Sequence, residues 1–458
     1  MDTSLKPLDV PSLERGTQAL GREIFSRVKR ASLSPIHPAW WENRLMDWCM
    51  EDEALKIQML RFVDVFPMLR RPATITRYLG EYFPSEDKRL PRAIRWGGGL
   101  AGTLPPVRPP VAAMARWGIG RTARRFIIGA NIEEALTRLR RLENRGMAFT
   151  VDILGEATIS DREAEVYTQR YIDLIEGLAS DPQLGRDRPE WKAWGPRINV
   201  SVKLSALDAN FDPVDPVGTG RRIKVKLREI LRAAQRHGAF INLDVEQYAY
   251  RDLTLRIFRE ILEEDEFASG DGIGIAYQAY LKDAEPVLRN LLGWSRERQK
   301  HFTVRLVKGA YWDYETIHAI QQHWPIPVFQ KKWQSDLQFE KLILLLLENH
   351  ERVRVAAGSH NVRSLAFTLA AAEQMGVPRE RIEVQMLSGM GEEIKTALVD
   401  LGHFVRVYAP FGELIPGMGY LVRRILENTA NESFLKLSFF EGASVEELLR
   451  NPQEHEKG

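Results

Sequence analysis

The chain has 458 residues, 44% hydrophobic and 28% charged, with 64 basic against 62 acidic side chains and a net charge of +2. That near balance excludes a dedicated nucleic-acid binder, which needs a strong basic excess. The single cysteine, Cys49, excludes an intrachain disulfide framework and a cysteine-based zinc site, and fits a reducing, cytoplasmic setting. No apolar run approaches the roughly 18 residues of a membrane span, the oiliest stretch being Leu342 to Leu347. The N-terminus lacks the basic-then-apolar pattern of a signal peptide, and peripheral membrane contact stays open.

Taken in order, the first part of the chain reads as helical. Gly16 to Leu33, Trp41 to Cys49, Glu53 to Phe62 and Pro72 to Tyr82 carry apolar residues at three- and four-residue spacings. The breaker-rich stretch from Gly97-Gly98-Gly99 to Pro105-Pro106-Val107-Arg108-Pro109-Pro110 is expected to be a loop, because consecutive prolines lack amide donors. A helix restarts at Asn131, an N-cap with Glu134 three residues on. From residue 147 short apolar runs alternate with longer helical ones. The strand candidates are Ala148–Leu154, Ile198–Leu204, Phe240–Leu243, Ile273–Gln278, Thr303–Val307, Val353–Ala357, Ile382–Met386 and Phe404–Tyr408. Alternation of this kind implies parallel strands with crossover helices, and eight units match a closed (βα)8 TIM-like barrel in the α/β class. The expected division is a helical N-terminal region over 1–130, a barrel over 131–440 and a tail over 441–458. No GxGxxG follows the first strand, so an open dinucleotide fold has little support, and the spaced glycines from Gly270 to Gly274 precede a strand instead of following one.

In such a barrel ligands meet the C-terminal ends of the strands. Polar residues gather there: Asp152 with Glu156, Lys203, Asp244 with Glu246, Gln278, Arg305 running into Lys308-Gly309-Ala310-Tyr311-Trp312, Ser359-His360-Asn361, Gln385 and Tyr408. The following helical run holds Arg423, Arg424 and Glu427. Each has a bland reading. The charges could form a structural ion-pair network, His360 a satisfied structural histidine, Trp312 a core residue, and Arg423 with Glu427 a solvated i, i+4 pair. Together they resemble what a large polar ligand needs. Arg305, Lys308, Gly309 and Trp312 offer cations, close backbone approach and a flat stacking surface to a cofactor with a pyrophosphate and a ring system. His360-Asn361 opens a helix whose free amides favour an anion. The adjacent arginines suit a carboxylate. No HExxH, P-loop, Ser-His-Asp order or metal-ligand cluster competes.

At these residues the sequence resembles the proline dehydrogenase family, most closely the proline dehydrogenase domain of bacterial proline utilization A. The matching runs are Asp152-Ile153-Leu154-Gly155-Glu156-Ala157, Ser201-Val202-Lys203-Leu204-Ser205-Ala206-Leu207, Ile241-Asn242-Leu243-Asp244 and Tyr277-Gln278-Ala279-Tyr280. They continue with Arg305-Leu306-Val307-Lys308-Gly309-Ala310-Tyr311-Trp312-Asp313, His360-Asn361 and Gln385-Met386-Leu387-Ser388-Gly389-Met390-Gly391-Glu392. Arg406-Val407-Tyr408-Ala409-Pro410 and Tyr420-Leu421-Val422-Arg423-Arg424-Ile425-Leu426-Glu427-Asn428 close the set.

The resemblance implies noncovalent FAD and oxidation of L-proline to pyrroline-5-carboxylate, with a membrane quinone as electron acceptor. It implies that Lys203, Arg423 and Arg424 bind the proline carboxylate, Glu427 orients the arginines, and Ala310, Leu387 and Tyr408 pack on the ring. Asp244, Gln278, Arg305, Lys308, Gly309, Trp312, Lys332, His360, Asn361 and Gln385 would serve FAD, with Asp244, Arg305 and Tyr408 at the reacting centre. Two features depart from the family pattern: Gln330-Lys331-Lys332 stands where a Thr-Arg-Lys run is common, and residues 1–130 show no recognisable DNA-binding segment. Oxidation of the product's aldehyde form needs an activated thiolate. Cys49, beside Trp48 and Met50, reads as a packing residue, so a separate pyrroline-5-carboxylate dehydrogenase, or a domain outside this sequence, is the expected partner. The alternative function is another flavin barrel oxidoreductase acting on a small amino or hydroxy acid; a barrel without catalysis, serving as a scaffold, is the third reading.

Overall fold

The structure is a computed structural model. It describes residues 8–30, 58, 61–62, 65–84, 105–155, 158–184, 189–268, 272–413 and 444–456. Trp41–Cys49, most of Glu53–Phe62, the Gly97–Gly99 run, Glu156, Arg423, Arg424 and Glu427 lie outside them.

Among the described residues, four helices precede the barrel: α1 (Val10–Arg30), α2 (Pro72–Tyr82), α3 (Arg108–Phe126) and α4 (Ile132–Asn144). The proline-rich stretch is helical, not a loop: a short 3-10 turn, Pro105–Val107, runs directly into α3. Pro109 and Pro110 occupy its first turn, where the amides have no intrahelical partner to lose and the fixed proline φ suits the helix. Asn131 caps α4, its side chain accepting from the Glu134 amide at 3.0 Å.

The eight strands are β1 (Met147–Ile153), β2 (Asn199–Lys203), β3 (Phe240–Asp244), β4 (Ile273–Gln278), β5 (Phe302–Val307), β6 (Val353–Gly358), β7 (Ile382–Leu387) and β8 (Val405–Phe411). All pair in parallel and in sequence order, and β1 closes the barrel against β8 from Met147↔Val405 to Ile153↔Phe411. The described crossover helices are α5 (Asp161–Ala179), α6 (Pro216–His237), α7 (Tyr248–Leu262), α8 (Ala284–Glu297), α9 (Trp312–Gln321), α10 (Lys332–Leu347), α11 (Val362–Met375) and α12 (Glu392–Asp400). A four-residue helix, α13 (Val445–Leu448), follows later.

Period-two alternation explains the layering. Val151, Val200, Val202, Ile241, Leu243, Ile275, Val304, Leu306, Val355 and Val384 belong to the continuous apolar core with the helices. Several of the intervening strand residues are polar and bond their neighbours on adjacent strands: Thr150 and Ser201 are 3.2 Å apart, and Arg406 binds Glu383 at 2.9 Å and the Phe149 carbonyl at 2.9 Å.

A buried arginine ties the first and last described segments to this frame. Arg363 on α11 binds Glu340 of α10 at 2.9 Å, Glu14 of α1 at 2.5 Å and the Leu449 carbonyl, beyond α13, at 3.1 Å. No helix among the described residues is long and apolar enough to cross a membrane.

Candidate active site

A cavity of about 310 Å³ opens at the C-terminal ends of the strands. Its wall includes Asp152, Lys203, Asp244, Glu246, Gln278, Arg305, Lys308, Gly309, Ala310, His360, Gln385, Leu387 and Tyr408. Each lies on a strand or in the turn that follows it, so closing the barrel brings positions 152 through 408 to one spot.

Asp244 is the hub of the cavity floor. It accepts from Arg305 Nη1 at 2.7 Å and from the Tyr408 hydroxyl at 2.8 Å, and Lys203 Nζ lies 3.9 Å from its second oxygen. Arg305 also donates to Ser201 at 2.9 Å, and its guanidinium stands 5.2 Å from the Tyr408 ring centroid. Lys203 bonds Asp152 directly. Burial pushes the Asp152 carboxyl up and is only partly offset by Lys203. For Lys203 burial opposes the charge, but Asp152 and Asp244 outweigh it and hold the ammonium well above the usual lysine range. The ammonium is therefore charged at neutral pH, at the point where an anionic ligand group would meet it. Glu246, half-buried beside this group and bonded to Ser205 Oγ at 2.8 Å, has its carboxyl pushed up by desolvation.

A second charged group lies on the β5 side. Lys308 and Lys332 converge on Asp336 of α10, Lys332 at 2.7 Å. Burial drives Lys308 down to about 8, against the pull of Asp336, while Lys332 competes for the same carboxylate. Asp336, which burial alone would raise, is held at about 2 by the two lysines. Gly309 has φ +134, and a Cβ there would come 2.5 Å from the Tyr280 ring, so only glycine fits and its backbone stays open to close approach.

His360 and Asn361 lead into α11. The Leu387 amide donates to His360 Nε2 at 3.2 Å, and Asn361 caps the helix by accepting from the Ser364 amide at 3.3 Å. Three polar atoms of cavity-lining residues, Arg305 Nε, Gln278 Oε1 and Gln385 Oε1, are buried without a hydrogen-bond partner. One donor and two carbonyl acceptors left over at a cavity wall suit a planar heteroaromatic ligand with a mixed hydrogen-bonding edge.

Asn361, Lys332 and Trp312 are not part of the cavity wall. Asn361 is the α11 cap, and Lys332 reaches the site through Asp336. Trp312 is 40% exposed at the start of α9, its indole N–H donating to the Phe329 carbonyl at 2.7 Å. Arg423, Arg424 and Glu427 fall outside the described residues. Sequence reasoning missed Asp336, whose signal was its i, i+4 spacing from Lys332, and left Glu246 without a role.

With this geometry in hand, comparison with known proteins is specific. The family model "Proline dehydrogenase" matches residues 135–437, and "Proline utilization A N-terminal domain" matches residues 14–126. The chain is 31% identical to the bifunctional protein PutA of Escherichia coli (strain K12) over 334 residues, 71% of this chain but 25% of that protein. It is 29% identical to proline dehydrogenase 1 of Bacillus subtilis (strain 168) over 313 residues, 68% of this chain and 89% of that one. The crystal structure of proline utilization A from Bdellovibrio bacteriovorus inactivated by N-propargylglycine superposes with a TM-score of 0.84 at 40% identity, covering 97% of this chain and 44% of that one. The chain thus spans about a quarter of the length of the curated bifunctional proteins it resembles. The helical stretch that sequence reading left without a role is similar to the N-terminal domain of those longer proteins. Barrel, polar mouth and matched segments together place this chain in the proline dehydrogenase family.

Proposed function

We propose that this chain oxidises L-proline to pyrroline-5-carboxylate with FAD as the electron-accepting cofactor, and that a membrane quinone is the onward acceptor. The observation that carries the reading is the Asp244 hub, which holds two cations and a tyrosine hydroxyl at the floor of a barrel-mouth cavity. When bound, FAD supplies a two-electron acceptor for the C–H bond beside the ring nitrogen.

The protein's own residues do the rest. Arg305, Gln278 and Gln385 would satisfy their unpartnered atoms on the flavin ring. Lys308 and the Gly309 backbone would hold the anionic part of the cofactor. Lys332, His360, Asn361 and Trp312 would shape its surroundings. Lys203, held as an ammonium, would meet the proline carboxylate together with Arg423 and Arg424, which Glu427 would orient. Ala310, Leu387 and Tyr408 would cover the proline ring and exclude water, so that binding becomes a near-attack geometry. Asp244 keeps Arg305 and Tyr408 in place for this.

In this proposal residues 1–130 form the helical N-terminal region, 131–440 the barrel and 441–458 the tail. The chain works in the cytoplasm, touching the inner membrane face to deliver electrons. A separate pyrroline-5-carboxylate dehydrogenase, or a domain outside these residues, takes the product onward. The test is an anaerobic absorbance scan of FAD-loaded protein. Proline should bleach the oxidised flavin band. Bleaching by another small amino or hydroxy acid but not by proline would favour the alternative oxidoreductase, and failure to take up FAD would favour a scaffold.

A further inference from the structure

Lys395 lies on α12, outside the cavity wall, and is 0% exposed. A buried ammonium needs partners that offset its lost hydration. Its partners are Glu392, one turn earlier, and the backbone carbonyl of Leu387 at 2.9 Å. Glu392 is bound in turn by Arg145 Nη1 at 2.8 Å, from the turn between α4 and β1. Burial pushes the Lys395 ammonium down, and Glu392 pulls against that.

Leu387 is the last residue of β7 and part of the cavity wall. Its carbonyl is gripped by Lys395 and its amide by His360 Nε2, so its main-chain polar groups are held from two elements. The amide bond also makes Nε2 the accepting nitrogen of His360. The next residue, Ser388, donates its amide to the Tyr408 carbonyl at 2.9 Å. The turn is tight enough to need Gly391 at φ +59, where a Cβ would lie 3.1 Å from Met386 Cε and 3.4 Å from His360 Cδ2.

We propose that Lys395 is a positioning residue: by holding the Leu387 carbonyl it fixes the end of β7 against His360, and so sets the part of the cavity wall that selects the substrate ring. The selectivity half of this rests on the reading above that Leu387 packs on that ring. A lysine serving only as helix filling would have no reason to reach a strand-end carbonyl beside the cavity. Lys395→Met keeps the length of the side chain and removes the grip.

The test uses FAD-loaded whole protein and two readouts. In Lys395→Met, hydrogen exchange of the 385–391 segment should quicken. The kcat/KM for proline should fall on the order of tenfold, carried by KM, with a changed proline-to-hydroxyproline ratio. Glu392→Gln, which leaves the ammonium in place but weakens its counter-charge, should shift both readouts the same way by less, and it decides the matter if the methionine variant does not fold. Unchanged exchange in that segment overturns the proposal. Quickened exchange with unchanged KM and unchanged selectivity overturns it too. Should the parent protein fail to bleach with proline, it is the functional reading that falls, and the exchange readout still judges the grip on Leu387.

Discussion

Lys203, at the end of β2, and Lys308, just beyond β5, face the same cavity, yet their surroundings push them in opposite directions. Lys203 sits between two carboxylates, Asp152 and Asp244, and their pull exceeds the cost of burial. Lys308 has one close carboxylate, Asp336, and shares it with Lys332, so burial wins and the ammonium is held at about 8. Residue type and burial are alike; the ratio of acids to bases decides. One end of the cavity thereby keeps a permanent cation, suited to a small anionic group. The other keeps a net positive cluster suited to a phosphate-bearing ligand but tunable by pH.

Breaking the first cluster should have the largest effect. Lys203→Met leaves Asp152 and Asp244 facing each other without their shared cation, and losing one partner of a buried pair costs about 3–5 kcal/mol. Denaturant unfolding should show this loss, and proline turnover should fall with it. Full stability in that variant would mean that Arg305 alone neutralises both acids.

Asp336→Asn should cost about 2 kcal/mol at neutral pH, from a folded carboxyl at about 2 against an ordinary 3.8. A depressed carboxylate contributes its stability above the unfolded pKa and loses it as pH falls toward the folded value. The difference between parent and variant should therefore shrink between about pH 4 and pH 2 in acid unfolding curves. A constant difference across that window would remove the ionic explanation.

Cofactor affinity sharpens the contrast next. As pH rises through about 8, Lys308 gives up its proton and its cluster changes from net positive to neutral. Titration of apoprotein with FAD should show affinity weakening on the order of tenfold across that step, while Lys308→Met binds weakly and with a flat profile. A pH-independent parent would show that the pyrophosphate binds elsewhere.

The smallest effect is expected at Tyr408, which lies against the Lys203 side through Asp244. Tyr408→Ser should open the ring pocket and raise kcat/KM for hydroxyproline relative to proline by about tenfold or less. Identical selectivity would place the substrate ring away from this side chain.

The barrel was legible because short apolar runs and longer helical ones alternate without interruption, and each of the eight runs became a strand within a few residues of its expected ends. The mouth was legible because chemistry in this fold collects at strand ends, where Asp244, Arg305 and Tyr408 were readable one by one. Their mutual bonding was not, since it depends on barrel closure across up to 164 positions. Asp336 and Lys395 escaped for a related reason: they lie on helices, and only packing shows that one is shared by two lysines and the other reaches a strand-end carbonyl. The prolines at 105–110 misled because proline is tolerated in a first helical turn, a fact of position that composition does not carry.

The Arg363 bridge has a consequence for the order in which this molecule is finished. Its guanidinium needs Glu14, Glu340 and the Leu449 carbonyl, contacts 349, 23 and 86 positions away. On a ribosome the most distant acid emerges first and the carbonyl last. Until Leu449 arrives, the base of the helix that begins beside His360 carries an incompletely bonded cation. Contacts of such high sequence separation form late and slowly. The bridge is therefore completed only after all eight strands have been made.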